Sequence, residues 1–264
     1  MTSPLEVYGA FGLVVAGVAG LLVGSFLNVL VHRLPRGESI VSPGSRCPSC
    51  GTSVAAYDNV PVLSWILLTG KCRSCKAPIS PRYPLLELSN GVLWALVFRS
   101  APSWGDFAGG AFLCSACLAL LAIDAQFFIL PDAITLPGIA VGLALSFVSL
   151  RRTPLEAVLG AALGAGGLFL VAFLYEKITG QEGMGLGDVK MLGMIGAFLG
   201  ASGVVVTILA ASVSGTLVGL SLILFRGGSG KTKLPFGVFL ALGAIAAWFF
   251  AEPLAERYQR MWSP

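Results

Sequence analysis

Histidine occurs once in the 264 residues, at His32, and charge is scarce, with 11% of residues Asp, Glu, Lys or Arg. A soluble domain carries about a quarter charged residues, so an ordinary soluble domain is excluded. A Ser-His-Asp triad has only His32 to build on. That residue ends the first apolar run, and an interfacial side chain is the simpler reading of it. Internal repeats and low-complexity tracts are lacking, and the polar loop has no dinucleotide-type glycine fingerprint. The first apolar segment lacks a basic n-region and a small-residue cleavage site, so it reads as a retained helix and not as a removed signal peptide. A net charge of +4 gives no sign of a nucleic-acid partner.

What is abundant is apolar. Hydrophobic residues make up 56% of the chain, with 34 glycines, and the mean hydropathy is +0.86. Apolar runs lie at about 7–31, 85–100, 106–123, 133–150, 155–175, 189–201, 203–225 and 235–251. Most approach the roughly 20 residues that span a bilayer. The pattern predicts an all-α polytopic membrane protein of about eight transmembrane helices, with glycines where helices approach closely in lipid. The run 189–201 covers only about 20 Å at helical rise, so it is expected to start below the membrane surface and leave Asp188 in a depression open to water. The division between it and 203–225 rests on Ala201-Ser202-Gly203 alone. Gly227-Gly228-Ser229-Gly230 reads as a flexible loop.

One long polar segment, 32–84, separates the first run from the rest. The expected organisation is a first transmembrane helix (1–31), a cytosolic four-cysteine loop (32–84) and a set of membrane helices (85–264). With eight crossings and this loop inside, Arg33, Arg36, Arg46, Lys71, Arg73, Lys76, Arg82, Lys177, Lys190, Arg226, Lys231 and Lys233 face the cytosol. Arg99, Arg151, Arg152, Arg257 and Arg260 lie outside. The positive-inside rule favours this orientation, and Arg151 and Arg152 count against it.

Within the loop, Cys47-Pro48-Ser49-Cys50 and Cys72-Arg73-Ser74-Cys75 form two Cys-x-x-Cys pairs 21 residues apart. Each turn aims two thiolates at one ion, which suits a closed, structural zinc site with four cysteine ligands. Arg46, Lys71, Arg73 and Lys76 are placed to offset the thiolate charge. A cytosolic location would keep the thiols reduced. A redox pair or unligated thiols is the alternative. Cys114-Ser115-Ala116-Cys117 has the same spacing inside an apolar run, where cysteine packs as a small hydrophobe.

Two aspartates stand at the edges of apolar runs. Asp124 lies in Leu121-Ala122-Ile123-Asp124-Ala125-Gln126, and Asp188 in Gly183-Met184-Gly185-Leu186-Gly187-Asp188-Val189-Lys190. A carboxylate at a helix centre in lipid costs roughly 2.5–3.5 kcal/mol on insertion scales, and less near the interface. Two of them suggest an acid pair, in which the ionised member activates water and the protonated one polarises a scissile carbonyl. Gly183, Gly185 and Gly187 keep the backbone before Asp188 thin and permit φ > 0; an ordinary loop and a helix cap are the plainer readings. Pro131 sits where a helix can begin, and Asp132 reads as structural or substrate-orienting. Lys190 faces either a carboxylate or lipid phosphates. A proton-coupled transporter using the acid pair as a relay and a zinc-bearing scaffold without catalysis are rival readings. No inverted repeat supports the transporter.

With these motifs in order, the chain resembles the bacterial type IV prepilin leader peptidases, membrane aspartic peptidases of pilus and type II secretion systems. The resemblance runs through Gly24-Ser25-Phe26-Leu27-Asn28-Val29 to Arg33-Leu34-Pro35, and both cysteine pairs with Asn59-Val60-Pro61-Val62-Leu63-Ser64-Trp65 between them. It continues through Arg82-Tyr83-Pro84-Leu85-Leu86-Glu87-Leu88, Asp124 with Leu130-Pro131-Asp132, Gly185-Leu186-Gly187-Asp188-Val189-Lys190, and Pro235-Phe236-Gly237. Val238 departs from it, since the family often has proline there. The resemblance implies cleavage of prepilin and pseudopilin leaders after a glycine, on the cytosolic side of the inner membrane, with Asp124 and Asp188 as the catalytic pair. It also implies methylation of the new N-terminal amine with S-adenosylmethionine, carried over to the region 32–84 with Asn59, Pro61 and Lys71 as candidates. A peptidase without methylation is the nearer alternative. Glu87, Asp132 and Glu182 are acids that would attract a basic leader; solvation or helix capping is the plainer reading of each.

Overall fold

The computed structural model describes residues 3–181, 184–226 and 234–262, excluding the side chains of Arg226 and of 255–262. Glu182, Gly183, the loop glycines 227, 228 and 230, Lys231 and Lys233 lie outside the described residues, as do the side chains of Arg257 and Arg260. Eight α-helices are present among the described residues: α1 (Pro4–Arg33), α2 (Leu63–Leu67), α3 (Arg82–Ser100), α4 (Trp104–Phe127), α5 (Asp132–Leu145), α6 (Pro154–Thr179), α7 (Leu186–Arg226) and α8 (Phe236–Trp262). No strand occurs among the described residues, only two isolated antiparallel bridges, Arg46 with Ser53 and Lys71 with Pro78. The chain divides into two compact units, 1–107 and 108–264.

In the first unit α1 packs along α3. Its buried residues Gly12, Ala16, Gly20 and Gly24 recur every fourth position, which is one face of a helix. A Cβ at Gly20 would lie 2.7 Å from Trp94 Cβ, and one at Gly24 2.7 Å from Glu87 Cα, so the small residues are what let the two backbones close up. The opposite face carries Phe11, Val14, Val18 and Leu22, all exposed. An apolar stripe left uncovered on this scale is what a lipid-facing helix presents. At the end of the pair, Tyr8, Trp94, Phe98, Trp104 and Phe107 stack edge to face.

In the second unit α5, α6 and α8 pack on α7. The 41-residue α7 keeps helical geometry except at Gly200 (φ 65°, ψ −173°), a conformation that only glycine adopts without strain. The two expected runs are therefore one helix with a break two residues before Ser202. Its first half is the core of the unit, with Met191, Leu192, Met194 and Ile195 fully buried, whereas Leu209, Val213 and Leu217 in the second half are exposed. A short apolar run is as often a buried core helix as a crossing, and α7 has one of each. Arg152 caps the break, its Nε donating to Leu199 O at 2.8 Å and its Nη1 to Glu252 Oε1 at 3.0 Å. Gly160 on α6 and Gly196 on α7 meet backbone to backbone.

Among the described residues, five helices are long and apolar enough to cross a bilayer: Pro4–Arg36, Trp104–Phe127, Pro154–Thr179, Leu186–Phe225 and Phe236–Leu254. Of the other expected spans, α5 has 14 residues. The 19-residue α3 carries Arg82, Glu87, Asn90 and Arg99, polar groups that hold its hydropathy down. Cys114 and Cys117 are fully buried in α4, packed as expected.

Candidate active site and metal centre

Asp124 sits one turn before the end of α4 and is 5% exposed. Its carboxylate faces the start of α8. Oδ2 accepts the Val238 backbone N–H at 3.1 Å, and the Gly237 amide lies beside the same carboxylate. These are first-turn amides that an α-helix leaves without an internal partner. Asp188 occupies the first turn of α7, its own N–H bonded to Gly185 O at 3.2 Å. The charge of Asp124 is felt at Asp188, so the two lie in one neighbourhood.

Leu130 accounts for much of that convergence. Its side chain lies in the space a Cβ at Gly187 or at Gly237 would need, 3.0 Å from each such position. It therefore packs against both the turn bearing Asp188 and the turn facing Asp124. Pro131 follows as the N-cap of α5, and Asp132 opens that helix. Lys190 Nζ contacts both carboxylate oxygens of Asp132 at 2.8 Å, which settles its partner as a carboxylate and ties α5 to α7. Sequence reading did not anticipate the role of Leu130. The signal was its place beside Pro131-Asp132, opposite two glycines remote in the chain. Gly185 and Gly187 do not use the positive φ that glycine permits. Gly187 is already helical, and its use is closeness to Leu130.

The four loop cysteines also converge. The Sγ atoms of Cys47, Cys50, Cys72 and Cys75 all lie within 4.8 Å of one another, and those of Cys47 and Cys75 are 3.8 Å apart. Zn–S bonds of about 2.3 Å in a tetrahedron put sulfurs about 3.8 Å apart, so the thiols, none in a disulfide, fit zinc. Such an ion would cross-link two turns of the same build. Gly51 N–H donates to Cys47 O at 2.8 Å, and Lys76 N–H to Cys72 O at 3.0 Å; Cys47 N–H reaches Thr52 O and Cys72 N–H reaches Ala77 O. Gly51 and Lys76 both adopt positive φ. Arg46-Cys47-Pro48-Ser49-Cys50-Gly51-Thr52 and Lys71-Cys72-Arg73-Ser74-Cys75-Lys76-Ala77 are thus a structural repeat that the sequence scan missed. Thr52, through its hydroxyl and then its backbone N–H, holds the Cys50 thiol down at about 6, toward the thiolate a metal takes. Arg73 does not serve the thiolates as expected. It grips Asp58 with two bonds of 2.8 and 2.7 Å and covers the Tyr57 ring.

Between the turns, Ser64 accepts the Val60 N–H and donates to Tyr57 O, and Trp65 Nε1 donates to Ile79 O at 3.0 Å. Glu87 is buried. It accepts the Val62 N–H at 2.8 Å and lies 3.4 Å from Asn28 Nδ2, so it is an internal tie and not the exposed acid proposed to attract a basic leader. Asp132 is spent on Lys190. Asn59 and Lys71 are exposed, Pro61 is buried, and no hydrogen bond among the described residues joins them.

Against known proteins, residues 18–101 match the Bacterial Peptidase A24 N-terminal domain and 111–220 the Type IV leader peptidase family. The chain belongs to the type IV leader peptidase family. A Burkholderia pseudomallei (strain 1026b) protein called prepilin leader peptidase/N-methyltransferase is 41% identical over 266 residues, 89% of this chain and 84% of that one. Proteins of the same name from Stutzerimonas stutzeri and Pseudomonas aeruginosa are each 36% identical, over 91% and 90% of both chains. No solved structure matches. Both cysteine turns fall in the first matched segment, and both aspartates in the second.

Proposed function

We propose that this leader peptidase family member cleaves the leader of type IV prepilins and pseudopilins after a glycine, on the cytosolic face of the bacterial inner membrane, with Asp124 and Asp188 as an aspartic pair. The observation that carries the reading is the meeting of three remote segments around one carboxylate. Leu130 packs against the turns that hold Asp188 and Gly237, and Asp124 bonds the latter. Two carboxylates that approach closely share one proton. The ionised one takes a proton from water as the hydroxyl oxygen attacks the scissile carbonyl carbon. The protonated one gives its proton to the carbonyl oxygen, leaving a gem-diol. On collapse the C–N bond breaks, the leaving amine takes the proton from the first carboxyl, and a diol hydroxyl returns its proton to the second. The pair ends with one proton, as it began.

The cytosolic placing rests on the basic residues of 32–84. Arg151 and Arg152, which count against it under the positive-inside rule, are tied to Glu252, Trp248 O and Leu199 O within the fold. Amide replacement tests the pair. Asp124→Asn and Asp188→Asn should each lower cleavage of a purified prepilin by about 10²–10⁴-fold or more, with the detergent-solubilised protein still folded. Normal cleavage by either variant sinks the reading.

The family relationship further supports methylation of the new N-terminus, with S-adenosylmethionine supplying the methyl group. A peptidase without that activity is the second reading. Transfer of label from S-adenosylmethionine to a cleaved substrate decides between them.

A further inference from the structure

We propose that the first turn of α8 divides the labour of the pair: Asp124 is the ionised carboxylate that takes the proton from water, and Asp188 is the protonated acid that donates to the scissile carbonyl. This rests on the aspartic reading and adds a role for each member. Asp124 accepts the Val238 backbone N–H at 3.1 Å, and the Gly237 amide lies beside the same carboxylate. They belong to the first turn of a helix, whose partial positive charge favours an anion, and hydrogen bonds donated to a carboxylate favour its charged form.

The approach depends on glycine at 237, where a Cβ would stand 2.8 Å from Asp124 Oδ2 and 3.0 Å from Leu130. Asp188 has the dipole of its own helix in its favour, but no hydrogen bond reaches its carboxyl oxygens among the described residues. The donors therefore decide which member keeps the proton. Other charges leave the division alone. The first turn of α8 holds no acid, and the last turn of α4 no base. Lys190, two residues from Asp188, is held by Asp132 at 2.8 Å. The charge of Asp124 itself bears on Asp188.

Val238 is the natural place to test this, because its contribution is a backbone N–H. Proline in the first helical turn is tolerated and lacks that donor, so Val238→Pro deletes one bond to Asp124. The readout is the pH profile of kcat/KM for prepilin cleavage, whose acid limb reports protonation of the essential base in the free enzyme. The acid limb should move to higher pH by about one unit or more, with the alkaline limb less affected. Val238→Ala keeps the N–H and should leave the acid limb in place. Should the proline variant fail to fold, an ester at 238, made with the α-hydroxy analogue of valine, removes the same donor without the ring.

An unmoved acid limb in a folded donor-deleted protein, a shift confined to the alkaline limb, or an equal shift in Val238→Ala overturns the assignment. The aspartic reading would survive any of these as long as Asp124→Asn and Asp188→Asn are inactive. If those amide variants cleave normally, both fall together.

Discussion

Glu87 shows how far a single residue's environment departs from its place in the sequence. In the chain it reads as an acid at the start of an apolar run, ready to meet a basic leader. In the fold it is 9% exposed and holds the Val62 N–H, on a residue with φ of 64°. A non-glycine residue in that region persists only where its surroundings fix it. Glu87→Ala should leave a buried donor without its partner, at a cost of about 1–3 kcal/mol, whereas Glu87→Gln keeps an acceptor and should lose less. Limited proteolysis of 32–84 reads the difference, and equal protection in both variants would contradict it. Asp58 gives a pH signature. Arg73 bonds its carboxylate and holds it below the ordinary value of 3.8. A depressed carboxyl contributes stability above its unfolded value and loses it as pH falls through the folded one. Protease protection near residue 58 should be flat from pH 7 to about 5 and fall only below about pH 4, and Asp58→Asn should remove that acid step.

At the scale of elements, apolar length was legible and burial was not. The runs at 7–31, 106–123 and 155–175 became α1, α4 and α6, because about 20 apolar residues in a row suit little else. The sequence also marked the weak point of α7 to within two residues. It did not tell that Met191–Leu199 would be enclosed by neighbours while the following half leaves Leu209, Val213 and Leu217 exposed, since both halves are mostly apolar and have no charged face to orient them. The two cysteine turns were legible as metal ligands, but their common backbone build was not, because Gly51 and Lys76 share a conformation and no chemistry. Close helix approach was foreseen from composition, and the structure gives it an address at Gly160 and Gly196. Gly196→Ala places a methyl against the Gly160 backbone and should destabilise by about 1–3 kcal/mol, as overpacking does. Gly166→Ala, on α6 with nothing within 4 Å of its Cβ position, should be neutral or stabilise by up to about 1 kcal/mol through helix propensity. Thermal midpoints in detergent measure both, and equal shifts would refute the close contact.

For the whole molecule, the division into 1–107 and 108–264 separates two kinds of chemistry. All four zinc-fitting thiols are in the first unit, and Asp124, Asp188, Leu130 and Gly237 are in the second. A metal that cross-links two turns contributes folding energy to them directly. Little hydrophobic core stands in for it there, since Cys50 and Cys75 are exposed. Chelation should therefore melt the cysteine turns first. Protease sites between 45 and 80 should open, and methyl transfer should fall with them. Cleavage of a prepilin should decline later, because the acid pair is held by Leu130 and the α8 first turn within the other unit. The converse variant completes the test: Asp124→Asn should abolish cleavage with zinc content and the proteolytic pattern of the loop unchanged. Simultaneous loss of both activities under mild chelation, with the helices intact by circular dichroism, would show that the metal supports the acid pair directly and that the two units do not divide the work in this way.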